Sequence, residues 1–110
     1  MGAALSSRQA TRIDRDYFAR VHEQALPFLP AILHRVLPQG KTIGPEYVAL
    51  NPHRADAALG SFKINLRTGK WADFAVSASG GDVTSLVAYV LGLSQGEAAK
   101  AVLRIIGGTP

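Results

Sequence analysis

Apolar residues recur along this chain with two different periods, helical at both ends and alternating in the middle. Between residues 14 and 37, Tyr17 or Phe18, Val21 and Ala25 form one helical stripe, and Phe28, Leu29, Ile32, Leu33 and Val36 form a second. Pro27 and Pro30 fall between the stripes, and proline is accepted in the first turn of a helix but not in its interior. The pattern predicts two helices, about 14–25 and 28–37, or one helix with a kink. Asp14 or Thr11 would cap it, and Pro38-Gln39-Gly40 ends it.

Residues 39–46, QGKTIGPE, read as a Gly/Pro loop, and Tyr47 to Leu50 as a short strand stopped by Asn51-Pro52. An irregular connection, HRADAALG, leads into the most patterned stretch, Gly60 to Asp82. There Phe62, Ile64 and Leu66 face one way, and Lys63, Asn65 and Arg67 the other. The alternation breaks at Thr68-Gly69 and resumes at Lys70-Trp71, which predicts a hairpin of strands 61–66 and 70–75. With 47–50 these make a three-stranded antiparallel sheet, the least that is stable by itself.

Ser77 to Gly81 reads as a flexible crossing. Asp82 caps a helix whose apolar face is Val83, Leu86, Val87 and Val90, and Gly92 closes it. Ser94-Gln95-Gly96-Glu97 is a capping box opening a last helix with Ala98, Ala101, Val102 and Ile105 on its apolar face. The expected class is α+β: a three-stranded sheet preceded by N-terminal helices and followed by two C-terminal helices.

Composition adds bounds to this picture. At 110 residues and 47% hydrophobic content, one core is affordable without staples. Residues 1–13 read as a flexible arm made basic by Arg8, Arg12 and the adjoining Arg15, and 14–110 as the single domain. The absence of cysteine excludes disulfides, thiolate nucleophiles and thiolate zinc sites. No stretch has the length of a membrane span, and the N-terminus lacks the apolar core of a secretory signal, so a cytoplasmic protein without a membrane partner is expected.

Twelve basic against eight acidic residues give a net charge of +4, which permits a nucleic-acid partner without demanding one. His22, His34 and His53 are scattered, and no phosphate loop, nucleophile elbow or acid/base pair is visible. No catalytic residue, cofactor or metal is expected. One constellation remains: Arg54, Lys63, Arg67 and Lys70 with Trp71 and Asn65. Cations neutralise phosphates, and an exposed ring gives bases a surface to stack on. The alternative is that Trp71 belongs to the core and the cations form a solvated strand face.

From Tyr47 to Gly107 the order of features resembles the N-terminal zinc-ribbon domain of bacterial and phage DNA primases. Those features are Pro52 with a basic residue, a short loop, Ser61-Phe62, the hairpin, Trp71, Phe74, Gly80-Gly81-Asp82, the apolar helix, Gly92-Leu93-Ser94 and Glu97-Ala98. It is similar above all to the start of phage- and plasmid-type primase/helicase proteins. Matched motif to motif, the zinc ligands of that family fall on Asn51, Arg54, Asp73 and Val76. None is a thiolate or an imidazole, so the ligand set of a structural zinc is missing. Packing by the N-terminal helices and by apolar residues near Phe74 and Val76 is then expected to replace the metal.

The resemblance implies single-stranded DNA binding in the replication or priming system of a phage, plasmid or integrated mobile element. It also implies a primase or helicase catalytic protein as partner. In such systems the polymerising centre lies in a separate domain, so this chain is not expected to make primers alone. The rival expectation is a protein-interaction module, dimerising or accessory, that presents the Ala-rich face of AAKAVLRII to a partner; the oligomeric state is left open.

Overall fold

The computed structural model of the protein describes residues 15–53 and 60–107. The basic arm expected over residues 1–13, and Arg54, lie outside the described residues.

Residues 15–25 are helical (α1) and pass through a single 3-10 turn, Leu26–Phe28, into α2, Leu29–Val36. Pro27 and Pro30 each sit in the first turn of their element, where the missing N–H costs no hydrogen bond. The two stripes are therefore two helices joined by a tight turn. Val21, Ala25, Leu29, Ile32 and Leu33 are buried, as the helical spacing requires.

The sheet has five antiparallel strands in chain order: β1 Lys41–Ile43, β2 Glu46–Ala49, β3 Phe62–Asn65, β4 Trp71–Asp73 and β5 Ala78–Gly80. α3, Val83–Leu91, and α4, Gln95–Ile105, follow it. The expected three-stranded sheet is thus corrected by one strand at each edge. QGKTIGPE is a hairpin, with Ile43 paired to Glu46 across a two-residue loop. Gly44 holds φ at +59°, the left-handed value that the first loop residue of such a hairpin needs. At the other edge, Ala-Ser-Gly has little intrinsic strand preference. It pairs because Gly80 stands opposite Trp71, and a Cβ on Gly80 would collide with the indole nitrogen.

One face of the sheet carries Tyr47, Ala49, Phe62, Ile64 and Trp71, which enter a single core with Leu86, Val87 and Val90 of α3 and Ala98, Ala99 and Val102 of α4. The Tyr47 hydroxyl donates to the Leu37 carbonyl oxygen at 2.6 Å, and burial pushes its phenol above the usual range. Asp82 accepts from the Ser85 amide at 2.8 Å, and Gly92, at φ +69°, closes α3. Ser94 and Glu97 cap α4 reciprocally, at 3.1 and 3.0 Å. His22 Nδ1 accepts the first amide of α3, that of Val83, at 3.1 Å and so ties α1 to that helix.

Candidate nucleic-acid interface

The register fixes what the outer face of the sheet displays. Lys41, Val48, Lys63, Ala72 and Ser79 stand in one row across all five strands. Ile43, Glu46 and Asn65 stand in the next row. Val48 is buried although it lies on this face, in register between the two lysines. Lysine stems cover apolar surface while their ammonium groups stay in water, which suits a valine in that position.

At the end of the β3–β4 hairpin the chain turns through residues 66–70. Asn65 Oδ1 accepts from the amides of Arg67 and Thr68, at 2.9 and 3.0 Å. Its backbone carbonyl accepts from Gly69 at 2.8 Å, and Gly69 takes φ +79°. The Asn65 oxygen is therefore committed to building the turn, and what it positions is Arg67 and Lys70, both exposed. Lys63 is half-buried. Lys41, Lys63, Arg67 and Lys70 make no ion pair with a described residue. Of the constellation expected from sequence, the fold brings Lys63, Asn65, Arg67 and Lys70 to this face and its turn.

Trp71 is not among them. It pairs with Ile64 on the core face, is 6% exposed, and its Nε1 donates to Ser85 Oγ at 3.0 Å. Its ring lies 5.0 Å from that of Tyr89 and 6.1 Å from that of Phe62. Stacking a base on it would require opening the core, so Trp71 is removed from the stacking role. Parity carried this signal even though the register differs: the expected pairing across Thr68-Gly69 would set Trp71 opposite Leu66, the observed one sets it opposite Ile64, and both are apolar-face positions.

The positions matched to zinc ligands tell a similar story. Asn51 Nδ2 donates to Asp73 Oδ2 at 2.7 Å and to the Tyr89 hydroxyl at 2.8 Å. Asn51 Oδ1 accepts the His53 amide at 2.8 Å, and Asp73 Oδ1 accepts that of Ala75 at 2.9 Å. The His53 ring donates through Nε2 to the Tyr89 carbonyl oxygen at 2.5 Å. Asn51 is 2% exposed and Asp73 fully buried. The amide nitrogen of Asn51 is no metal ligand, its oxygen already accepts the His53 amide, and no cluster of three metal-ligating side chains occurs among the described residues. Zinc does not fit here.

Of the packing expected from the N-terminal helices and the apolar residues near Phe74 and Val76, these two side chains themselves supply none. They are 72% and 45% exposed, because the strand alternation that buries Asp73 turns Phe74 outward. In the last helix Ala98, Ala99, Val102 and Leu103 are buried inside the domain, while Ala101, Ile105 and Ile106 of the same stretch are half-buried.

The chain matches no protein-family model, no curated protein and no solved structure. Among the described residues no helix is long and apolar enough to cross a membrane. The residues of the outer face that sequence reasoning missed are Lys41, hidden in a segment read as loop, and Phe74, whose parity is set by Asp73 beneath it.

Proposed function

We propose that this domain is a non-catalytic single-stranded DNA-binding module that serves replication or priming in a mobile genetic element, alongside a separate primase or helicase catalytic protein. The observation that carries the reading is the outer face of the sheet, with Lys41 and Lys63 in one row, Arg67 and Lys70 at the adjoining turn, and no described carboxylate paired to any of them. An open sheet face bearing uncommitted cations offers phosphates a track without requiring a preformed groove. The resemblance to primase ribbons supports the same reading. So does the direct contact of Asn51 with Asp73, two positions matched to ligands of one zinc.

Fluorescence anisotropy with a labelled single-stranded oligonucleotide tests the proposal. The wild-type chain should bind with an affinity that falls steeply with salt. The triple variant Lys63→Ala, Arg67→Ala, Lys70→Ala should bind more weakly and lower the slope of log K against log salt by about 2, at roughly 0.7 per lost phosphate contact on a single strand. A triple variant as tight as wild type, with the same slope, excludes this face.

A further inference from the structure

The binding face as described so far has charge but no ring, and the most exposed of the large apolar side chains among the described residues supplies one. Phe74 is 72% exposed at the end of β4. Its amide donates to the Ser61 carbonyl oxygen at 3.0 Å, which continues the β3–β4 ladder one step beyond the Phe62–Asp73 pair. Phe74 therefore stands on the same face as Lys63, diagonal to it across the strands. Diagonal neighbours are about 7–8 Å apart at Cα, within reach of an aromatic ring and a long side chain.

Beside Phe74 lies a cleft of about 220 Å³ lined by Ala72, Asp73, Phe74, Ser77, Ala78 and Ser79. Its volume exceeds the roughly 150 Å³ of an enclosed apolar cavity that holds a benzene molecule, but this cleft is open to solvent and partly polar, a depression beside which a flat ring can lie. Asp73 contributes to the wall while both its oxygens accept hydrogen bonds from within the protein. The two serines offer hydroxyls that both donate and accept, suited to the edge of a base. Two of the residues that line it, Ala72 and Ser79, belong to the row that holds Lys41 and Lys63.

We infer that Phe74 is the base-stacking residue of this domain, holding one base of a single strand against the cleft while Lys63 neutralises the phosphate beside it. The inference rests on the reading of the outer face as a single-stranded DNA site, and it names the residue that binds a base where Trp71 does not. An unpartnered ring next to uncommitted cations is charge-complementary to a strand that presents π-faces and phosphates together. A basic apolar protein surface would need only the hydrophobic area, and that difference is measurable.

The test compares wild type, Phe74→Ala, Phe74→Leu and Phe74→Trp on oligo-dT and on an abasic oligonucleotide of equal length. Since the side chain is exposed, each variant should retain the wild-type circular dichroism and thermal midpoint. Stacking is worth about 1–3 kcal/mol per base, so Phe74→Ala should weaken oligo-dT binding by about 5- to 150-fold with an unchanged salt slope. Phe74→Leu should lose nearly as much, Phe74→Trp should bind at least as tightly as wild type, and the four proteins should not differ on the abasic strand. Equal binding of oligo-dT by wild type and Phe74→Ala overturns the inference and leaves the cationic face standing. Wild-type affinity in Phe74→Leu, or an equal loss on the abasic strand, also overturns it and assigns Phe74 to apolar contact. A wild-type chain that binds neither strand overturns the inference and the proposed function together.

Discussion

Substituting Asn51 with alanine tests whether a hydrogen-bonded pair holds this domain together at its centre. Asn51 is 2% exposed and makes three hydrogen bonds of 2.7 to 2.8 Å. The three are not equal. The Tyr89 hydroxyl is on a half-buried residue and the His53 amide on an exposed one, so water can replace part of what they lose. Asp73 is fully buried, and both its oxygens accept from N–H groups, the pattern of an ionised carboxylate. Removing a donor to a charged acceptor costs about 1.5–3 kcal/mol, and the remaining bonds and the small cavity add roughly 1. The expected loss is about 3 kcal/mol out of a total near 5–15 for a domain. With a urea m-value near 1.5 kcal/mol/M, the unfolding midpoint should fall by about 2 M.

Asn51→Asp supplies an independent sign. It places a second carboxylate against Asp73 Oδ2, and two carboxylates at that distance do not both stay ionised. The folded variant must take up a proton that the unfolded chain, with carboxyls near 3.9, does not bind at neutral pH. Stability then falls as pH rises above the unfolded value and is regained on acidification. Paired urea titrations near pH 7 and pH 5 would read this directly. An Asn51→Ala midpoint within about 0.5 M of wild type, or an Asn51→Asp penalty independent of pH, refutes the reasoning.

Three further substitutions probe local features. Gly80→Ala forces a Cβ into the Trp71 indole and Ser85 Oγ, so it should destabilise by about 1–3 kcal/mol and red-shift the tryptophan emission; an unchanged spectrum would contradict the packing. Thr84 has a fully buried hydroxyl without a hydrogen-bond partner, so Thr84→Val should be neutral or stabilise by about 1 kcal/mol, and a lowered melting temperature would reveal a hidden partner. Hydrogen bonds from the Ser94 amide and hydroxyl region, and then the nearby Lys100 charge, hold the Glu97 carboxyl below its ordinary range. The stability this capping carboxylate contributes is therefore complete above the ordinary carboxylate range and lost as pH falls through its lowered value. Amide exchange in the first turn of α4 should accelerate relative to the rest of that helix on acidification in wild type, and not in Glu97→Gln.

The helices were legible because their signals are local. Prolines fix the break between α1 and α2, Asp82 and Gly92 bracket α3, and Ser94 with Glu97 opens α4; each acts within one turn of itself. The central hairpin was legible for the same reason, since Phe62, Lys63, Ile64 and Asn65 alternate long enough to declare their faces. So was Lys63, which needed only that parity, whereas Arg67 and Lys70 are placed by the turn that Asn65 builds. The edge strands were not legible. Three residues carry too little alternation to distinguish a strand from a loop, and β1 and β5 exist because β2 and β4 present unpaired backbone groups beside them. Which ring meets water follows from strand parity once the pairing is set. Trp71 and Phe74 are three positions apart on adjoining backbone, and a register that sets Trp71 against Ile64 sends one ring into the core and the other out. The contact of Asn51 with Asp73 joins residues 22 apart, a distance no local pattern spans. Sequence by itself determined the period, the caps and the charge of this domain; pairing across strands decided its edges, its buried polar centre and which residues share its outer face.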